Sequence, residues 1–313
     1  GSFWNRMKIM MSMEPKKPIT KTVFGAPLDV LCEKWGVDSD LGVGPVKIRI
    51  PIIIDELISS LRQMDMSVEG IFRKNGNIRR LRELTANIDS NPTEAPDFSK
   101  ENAIQLSALL KKFIRELPQP ILSTDLYELW IKAAKIDLED EKQRVILLIY
   151  SLLPTYNRNL LEALLSFLHW TSSFSYIENE MGSKMDIHNL STVITPNILY
   201  LRHKEISNDN VPDEPESGLV DSFAQNKGEN YFLAIEIVDY LITHNEEMAM
   251  VPKFLMNLLK DVQLQKLDNY ESINHFISTV MQSKTIDYSE CDIKTPVTVK
   301  DSTTTVIQGE INK

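Results

Sequence analysis

Cysteine is scarce in this 313-residue chain: Cys32 and Cys291 are the only two, and their separation matches no metal or redox spacing. We expect free thiols in a reduced, intracellular setting. No apolar run reaches the roughly 18 residues of a membrane-spanning helix. The five histidines, His169, His188, His203, His244 and His275, form no HExxH or other close metal pair. No Gly-x-Ser-x-Gly elbow occurs. Gly42–Lys47 has the look of a phosphate loop, but it lacks the second glycine at the right step and the Lys-Ser/Thr pair, and Gly44-Pro45 marks a turn. Basic residues are outnumbered 34 to 44, leaving a net charge of −10. That excludes wholesale nucleic-acid binding, which needs a net basic footprint, and leaves room for a local basic face. What is present is an ordinary globular composition, 42% hydrophobic and 25% charged, enough for one large domain or two average ones.

Helical periodicity dominates. Apolar residues recur at three- and four-residue steps over Leu28–Trp35, Pro51–Met66, Ile78–Ala86, Ala103–Glu116, Asp125–Ala134, Lys142–Leu152, Asn159–Trp170, Ile187–Val193 and Tyr231–Thr243. Val145–Leu153 and Leu160–Leu168 are apolar on most sides and are predicted to be central helices. Residues 1–23 form a basic extension outside the core. The opening Gly1-Ser2, with no initiator Met, reads as a tag scar on a piece of a longer protein. Residues 203–229, with seven acids against two lysines, read as a long acidic surface loop. Residues 251–283 have a helical pattern, and 284–313 lose periodicity and are expected to be disordered.

Three stretches carry chemistry. In Val68-Glu69-Gly70-Ile71-Phe72-Arg73-Lys74-Asn75-Gly76-Asn77, two apolar anchors precede Arg73. The Asn-Gly-Asn that follows forces a turn, and Asn77 is placed to cap a helix opening at Ile78. By itself this predicts an arginine at a loop rim, paired with a nearby carboxylate. In Gln105–Pro120, Leu106, Leu109, Leu110, Phe113, Ile114 and Leu117 line one helical face. Lys111 and Arg115 then point away from it, one turn apart, toward solvent. In Ser183–Leu199 a short helix from Asp186 is expected to stop at Pro196, with Asn197 emerging at the break with a free amide.

Taken in order, these stretches resemble the three sequence boxes of the RhoGAP domain, the activating module for Rho-class small GTPases. Phe24-Gly25-Ala26-Pro27-Leu28 is similar to its opening motif, Val68–Arg73 to its arginine-finger loop, and Leu109–Pro118 to its second box. Lys184-Met185 through Pro196-Asn197 is similar to the third box, preceded by a Leu153-Pro154…Asn159-Leu160 run. The resemblance covers residues 24–250.

It implies an all-α fold, a helical bundle of about nine helices, with one face turned to a GTP-loaded Rho-family GTPase. By position, Arg73 takes the place of the catalytic finger arginine. Lys111 and Arg115 take those of the basic pair on the interface helix, and Asn197 that of the GTPase-contacting asparagine. Lys74 and Pro196 join the expected GTPase-binding set. No cofactor of its own is implied, since GTP and Mg²⁺ belong to the partner. The implied location is cytoplasmic, with recruitment to the membrane cortex through the lipidated partner. The chain departs from the family's usual pattern at Ser183, where an asparagine is usual, at Ser191 for alanine, and at Asn75-Gly76-Asn77 for Ser-Gly-Ser. The rival readings are a RhoGAP-like binding module without activation and a helical scaffold whose basic face binds acidic lipids. Ras-type activators are also helical with an arginine finger, but the order of boxes here is unlike theirs.

Overall fold

Ten helices and two short two-stranded ladders make up the described part of the chain. The computed structural model describes residues 22–176, 182–201, 228–252 and 291–292. The helices are α1 Leu28–Trp35, α2 Ile52–Leu61, α3 Ile78–Ser90, α4 Ala103–Glu116 and α5 Tyr127–Ala134. They continue as α6 Glu139–Leu152, α7 Thr155–Ser172, α8 Ile187–Ile198, α9 Glu229–Thr243 and α10 Asn245–Ala249. The predicted all-α class holds, and α1 and α4 span the residues that periodicity assigned to them.

The two apolar runs predicted to be central are buried. In α6, Val145–Ser151 are buried without a break, and α7 buries Leu160–Leu165 together with Phe167 and Leu168. Such all-round burial is what a helix apolar on most sides requires. Around them α9 packs on α8, α5 and α7, while α4 packs on α2 and α8. One continuous core results, from Val23 to Met248.

The periodicity missed a hairpin. β1 Gly36–Ser39 pairs antiparallel with β2 Ile48–Pro51, in the register Gly36↔Pro51 to Ser39↔Ile48. Four-residue strands are too short for alternation to be read. Pro51, expected to open a helix, closes β2 and precedes the first residue of α2. The Gly42–Lys47 stretch is the loop of this hairpin, held by the Val43 N–H donating to Glu162 Oε1 at 2.8 Å. A second ladder joins β3 Val251–Pro252 to β4 Cys291–Asp292. The remainder of 253–313, like the extension 1–21 and most of the acidic loop, lies outside the described residues.

Candidate functional site

The three chemistry-bearing stretches meet. The first forms a tight loop between α2 and α3. Gly70 sits at φ 76° and Phe72 at φ 63°. The first is natural for glycine, while the second is a conformation that a bulky side chain adopts only where its surroundings enforce it. Phe72 is fully buried and makes an edge contact with Phe167 of α7, the ring centroids 6.1 Å apart. Phe167 in turn stacks on Trp170. The buried ring is the anchor that holds the loop in this conformation. The N–H groups of Arg73 and Lys74 both donate to Gly70 O, at 3.0 and 2.8 Å. The backbone around Arg73 is therefore tied, while its side chain and that of Lys74 are exposed. Among the described residues the Arg73 guanidinium has no hydrogen-bond or ion-pair partner. The carboxylate pairing predicted from sequence alone is thus not found there.

Helix α4 supplies the loop's floor. Ser107 Oγ accepts from Phe72 N–H at 3.4 Å, and Gln105 forks onto the backbone of Asn77. At about 100° per residue, Lys111 and Arg115 fall about 40° and 80° round the helix from Ser107, inside the arc running through Ala108 to Gln105. The basic pair and the root of the loop share one face of one rigid element. Both cations are half-buried and interact with neighbours, so the predicted solvated face is corrected. The predicted cap is present: Asn77 Oδ1 accepts from Arg80 N–H at 3.0 Å and starts α3.

The third stretch closes the other side. Ser183 is fully buried, and its carbonyl accepts from Gly70 N–H at 2.9 Å. Lys184, at φ 59°, reaches back to Glu69, Nζ to Oε1 3.0 Å. That hydrogen bond, with the charges of Lys184, Lys74 and Arg73, holds the Glu69 carboxyl below the usual carboxylate range. Asp186 then caps α8 through Asn189 N–H at 2.8 Å.

Two expectations about α8 are corrected. Pro196 does not end the helix, which continues to Ile198. The Asn197 amide is not free: Nδ2 donates to Val193 O at 3.0 Å and Ile194 O at 3.4 Å, and the residue is buried. Leu199 N–H donates to Thr195 O, closing the last turn past the proline. The carbonyls of Val193, Ile194 and Thr195 are thus bonded, and the bond that an N–H at Pro196 would make, to Thr192 O, is the one the proline removes. The opening motif packs behind this assembly. Phe24 meets Phe113 of α4 edge-on at 5.6 Å, and the Val23 and Phe24 N–H groups both donate to Asp89 at the end of α3.

Sequence reading missed the supports. Gln105, Ser107 and Ser183 are buried polar groups that bind loop backbone. The first two were visible only as polar interruptions of an apolar run. No group of metal-ligating side chains occurs among the described residues, and none of the described helices is long and apolar enough to cross a membrane.

Comparison with known proteins places this assembly. The model of the RhoGAP domain family matches residues 51–203, from the end of β2 past the end of α8. Rho-type GTPase-activating protein 1 of Schizosaccharomyces pombe is 42% identical over 267 residues, covering 84% of this chain and 21% of that protein. Human Rho GTPase-activating protein 1 is 32% identical over 196 residues, 62% of this chain and 41% of the relative. The chain thus spans well under half the length of these relatives. In architecture it is similar to the crystal structure of human Rho GTPase activating protein 15, with a TM-score of 0.57 and 18% identity over 75% of this chain and 99% of that one. The matched residues include the Val68–Asn77 loop, α4 and the end of α8 with Pro196 and Asn197. Through them the chain belongs to the RhoGAP domain family.

Proposed function

We propose that the chain is a GTPase activator for a Rho-class small GTPase, supplying Arg73 in trans to the GTP-bound partner's active site. The observation that carries this reading is the contrast within one loop: backbone tied at Gly70, Phe72 buried, and the guanidinium exposed and unpartnered among the described residues. Phosphoryl transfer builds charge on the γ-phosphate and the bridging oxygen, and a guanidinium presented from a preorganised loop neutralises it with little rearrangement. Its planar fork reaches two oxygens together, which a lysine does not. Lys111 and Arg115, on the same face, set affinity and steer the acidic partner site, with Lys74, Pro196 and Asn197 completing the contact surface. The protein acts in the cytoplasm and reaches the membrane cortex through its lipidated partner. GTP and Mg²⁺ stay with the GTPase.

The test is single-turnover GTP hydrolysis by a panel of Rho, Rac and Cdc-type GTPases, with this chain and with Arg73→Ala. Acceleration of one member, falling about 10³–10⁵-fold in the variant, is the expected result. That corresponds to about 4–7 kcal/mol of transition-state stabilisation. Binding without acceleration by the unaltered chain would make it an adaptor. No binding to any GTP-loaded member, with salt-sensitive binding to acidic vesicles, would make it a lipid scaffold.

A further inference from the structure

The finger loop has two ends, and they are held differently. At the near end, the Gly70 carbonyl takes the N–H groups of Arg73 and Lys74, and Phe72 is sunk in the core. Beyond Lys74 the chain has no such ties. Among the described residues, Asn75 and Gly76 make no hydrogen bond, and Asn75 is exposed. A groove of about 310 Å³ opens between this side of the loop and the start of α4, bordered by Val68, Asn75, Asn77 and Ile104. Packing therefore does not fix the far end, so polar contacts must.

Asn77 is tied forward to α3, its carbonyl accepting from Leu81 N–H at 2.9 Å and its Oδ1 from Arg80 N–H, and one side chain ties it to α4. Gln105 Oε1 accepts from Asn77 N–H at 2.8 Å, and its Nε2 donates to Asn77 O at 3.3 Å. A primary amide is the group that can satisfy one residue's donor and acceptor together. Gln105 is itself buried. The approach is close enough to depend on Gly76: a Cβ there would lie 2.7 Å from Gln105 Oε1 and 3.2 Å from Ala108 Cβ. Gly76 has no positive φ, so a small side chain at this position is excluded by the approach and not by the backbone.

We propose that Gln105 is a positioning residue for the finger: its amide, seated against Gly76, sets the far end of the Arg73 loop relative to the basic face of α4. The inference rests on the proposed activator function. Loss of the fork frees Asn75–Asn77 to shift and carries the tied turn at Arg73 slightly with it, and a displacement near 1 Å costs about 10²-fold in rate. Binding depends on the wider surface and changes little.

The test uses this chain, the responsive GTPase and single-turnover hydrolysis titrated to saturation, with thermal melting alongside. Gln105→Leu is expected to lower the saturating rate about 10- to 100-fold while the half-saturating concentration stays within about twofold. Gln105→Glu, the same size, keeps the acceptor for Asn77 N–H but sets a carboxylate against Asn77 O, and should lose rate too. Gly76→Ala displaces the amide from the opposite side and should reproduce the loss, with the Gln105→Leu/Gly76→Ala double variant little worse than either. An unchanged saturating rate in folded Gln105→Glu and Gly76→Ala would overturn the inference. So would losses of rate and half-saturation that simply track melting. If the unaltered chain accelerates no GTPase, the activator function fails and this inference falls with it. If it accelerates while Gln105 variants match it, only the inference fails.

Discussion

Around the β1–β2 hairpin, charged groups supply most of the ties. Glu162, buried in α7, accepts the Val43 N–H, and Arg49 Nε donates to Cys32 O at 3.1 Å. Asp55 accepts from Ser39 Oγ, and Asn159 Nδ2 donates to Arg49 O. Around the Arg73 loop, the exposed Glu69–Lys184 pair apart, the division is reversed. Backbone carbonyls and the neutral side chains Gln105, Ser107 and Asn77 hold the structure, and Arg73 and Lys74 are left outside. A charge that satisfies a buried backbone group is committed to the fold. A charge that is to act on another molecule must be spared that work, and its scaffold must be built from neutral hydrogen bonds.

That contrast breaks or sharpens by substitution. Arg73→Ala should lower GTPase stimulation by orders of magnitude while the melting transition moves by no more than about 0.5 kcal/mol in stability, as for an exposed side chain. Glu162→Ala should do the converse. Its loss leaves Val43 N–H without its acceptor, at a cost of about 1–3 kcal/mol in chemical denaturation, and stimulation per folded molecule should be unchanged. If Glu162→Ala lowered the saturating rate without lowering stability, the two regions would not be separable.

Cys32 extends the hairpin side into pH. Burial pushes its thiol up to about 12, with Asp29 and Glu33 adding to the effect and Arg49 opposing it. Because the folded state disfavours the thiolate, the contribution is fully present below an ordinary thiol value near 9 and is lost as pH rises toward about 12. The loss is expected to approach about 1.4 kcal/mol per pH unit. Urea denaturation of the native chain and Cys32→Ala between pH 8 and pH 10.5 measures it as the difference between the two slopes. Equal slopes would place the thiol in water. The smallest effect belongs to the Glu69–Lys184 pair, which is exposed. Lys184→Ala should return the Glu69 carboxyl toward its ordinary range in a side-chain NMR titration, with the melting midpoint unmoved. In the native chain the pair's small contribution is present above the ordinary carboxylate range and fades as pH falls through the lowered value.

How much of this was legible depended on whether the signal was local. The bounds of α4 and the Asn77 cap followed from residues within one or two turns, and both are present as read. The burial of Val145–Ser151 in α6 and of Leu160–Leu165, Phe167 and Leu168 in α7 followed from runs that are apolar on most sides. The hairpin was not legible, because its pairing couples residues up to 15 positions apart through strands of four. Pro196 does not stop α8 because a proline removes one backbone bond without ending a helix whose following residues bond back to it, as the Asn197 side chain and the Leu199 N–H do here. Among the site residues, the anchor Phe72 and the exposed Arg73 were visible in one short motif. Gln105, Ser107 and Ser183 were not, since a neutral polar residue in a helix or loop does not reveal which backbone it will meet.

One consequence of α4 concerns length and not chemistry. The root of the loop at Ser107 and the cation at Arg115 are eight positions apart on an unbroken helix, about 12 Å along its axis. Any one of these side chains can be exchanged while the others keep their places. A single residue added or removed between 107 and 111 would instead turn Lys111 and Arg115 about 100° round the helix from their present positions. This segment can therefore drift in composition far more readily than in register, and related chains that retain the surface should vary here by replacement and not by gap.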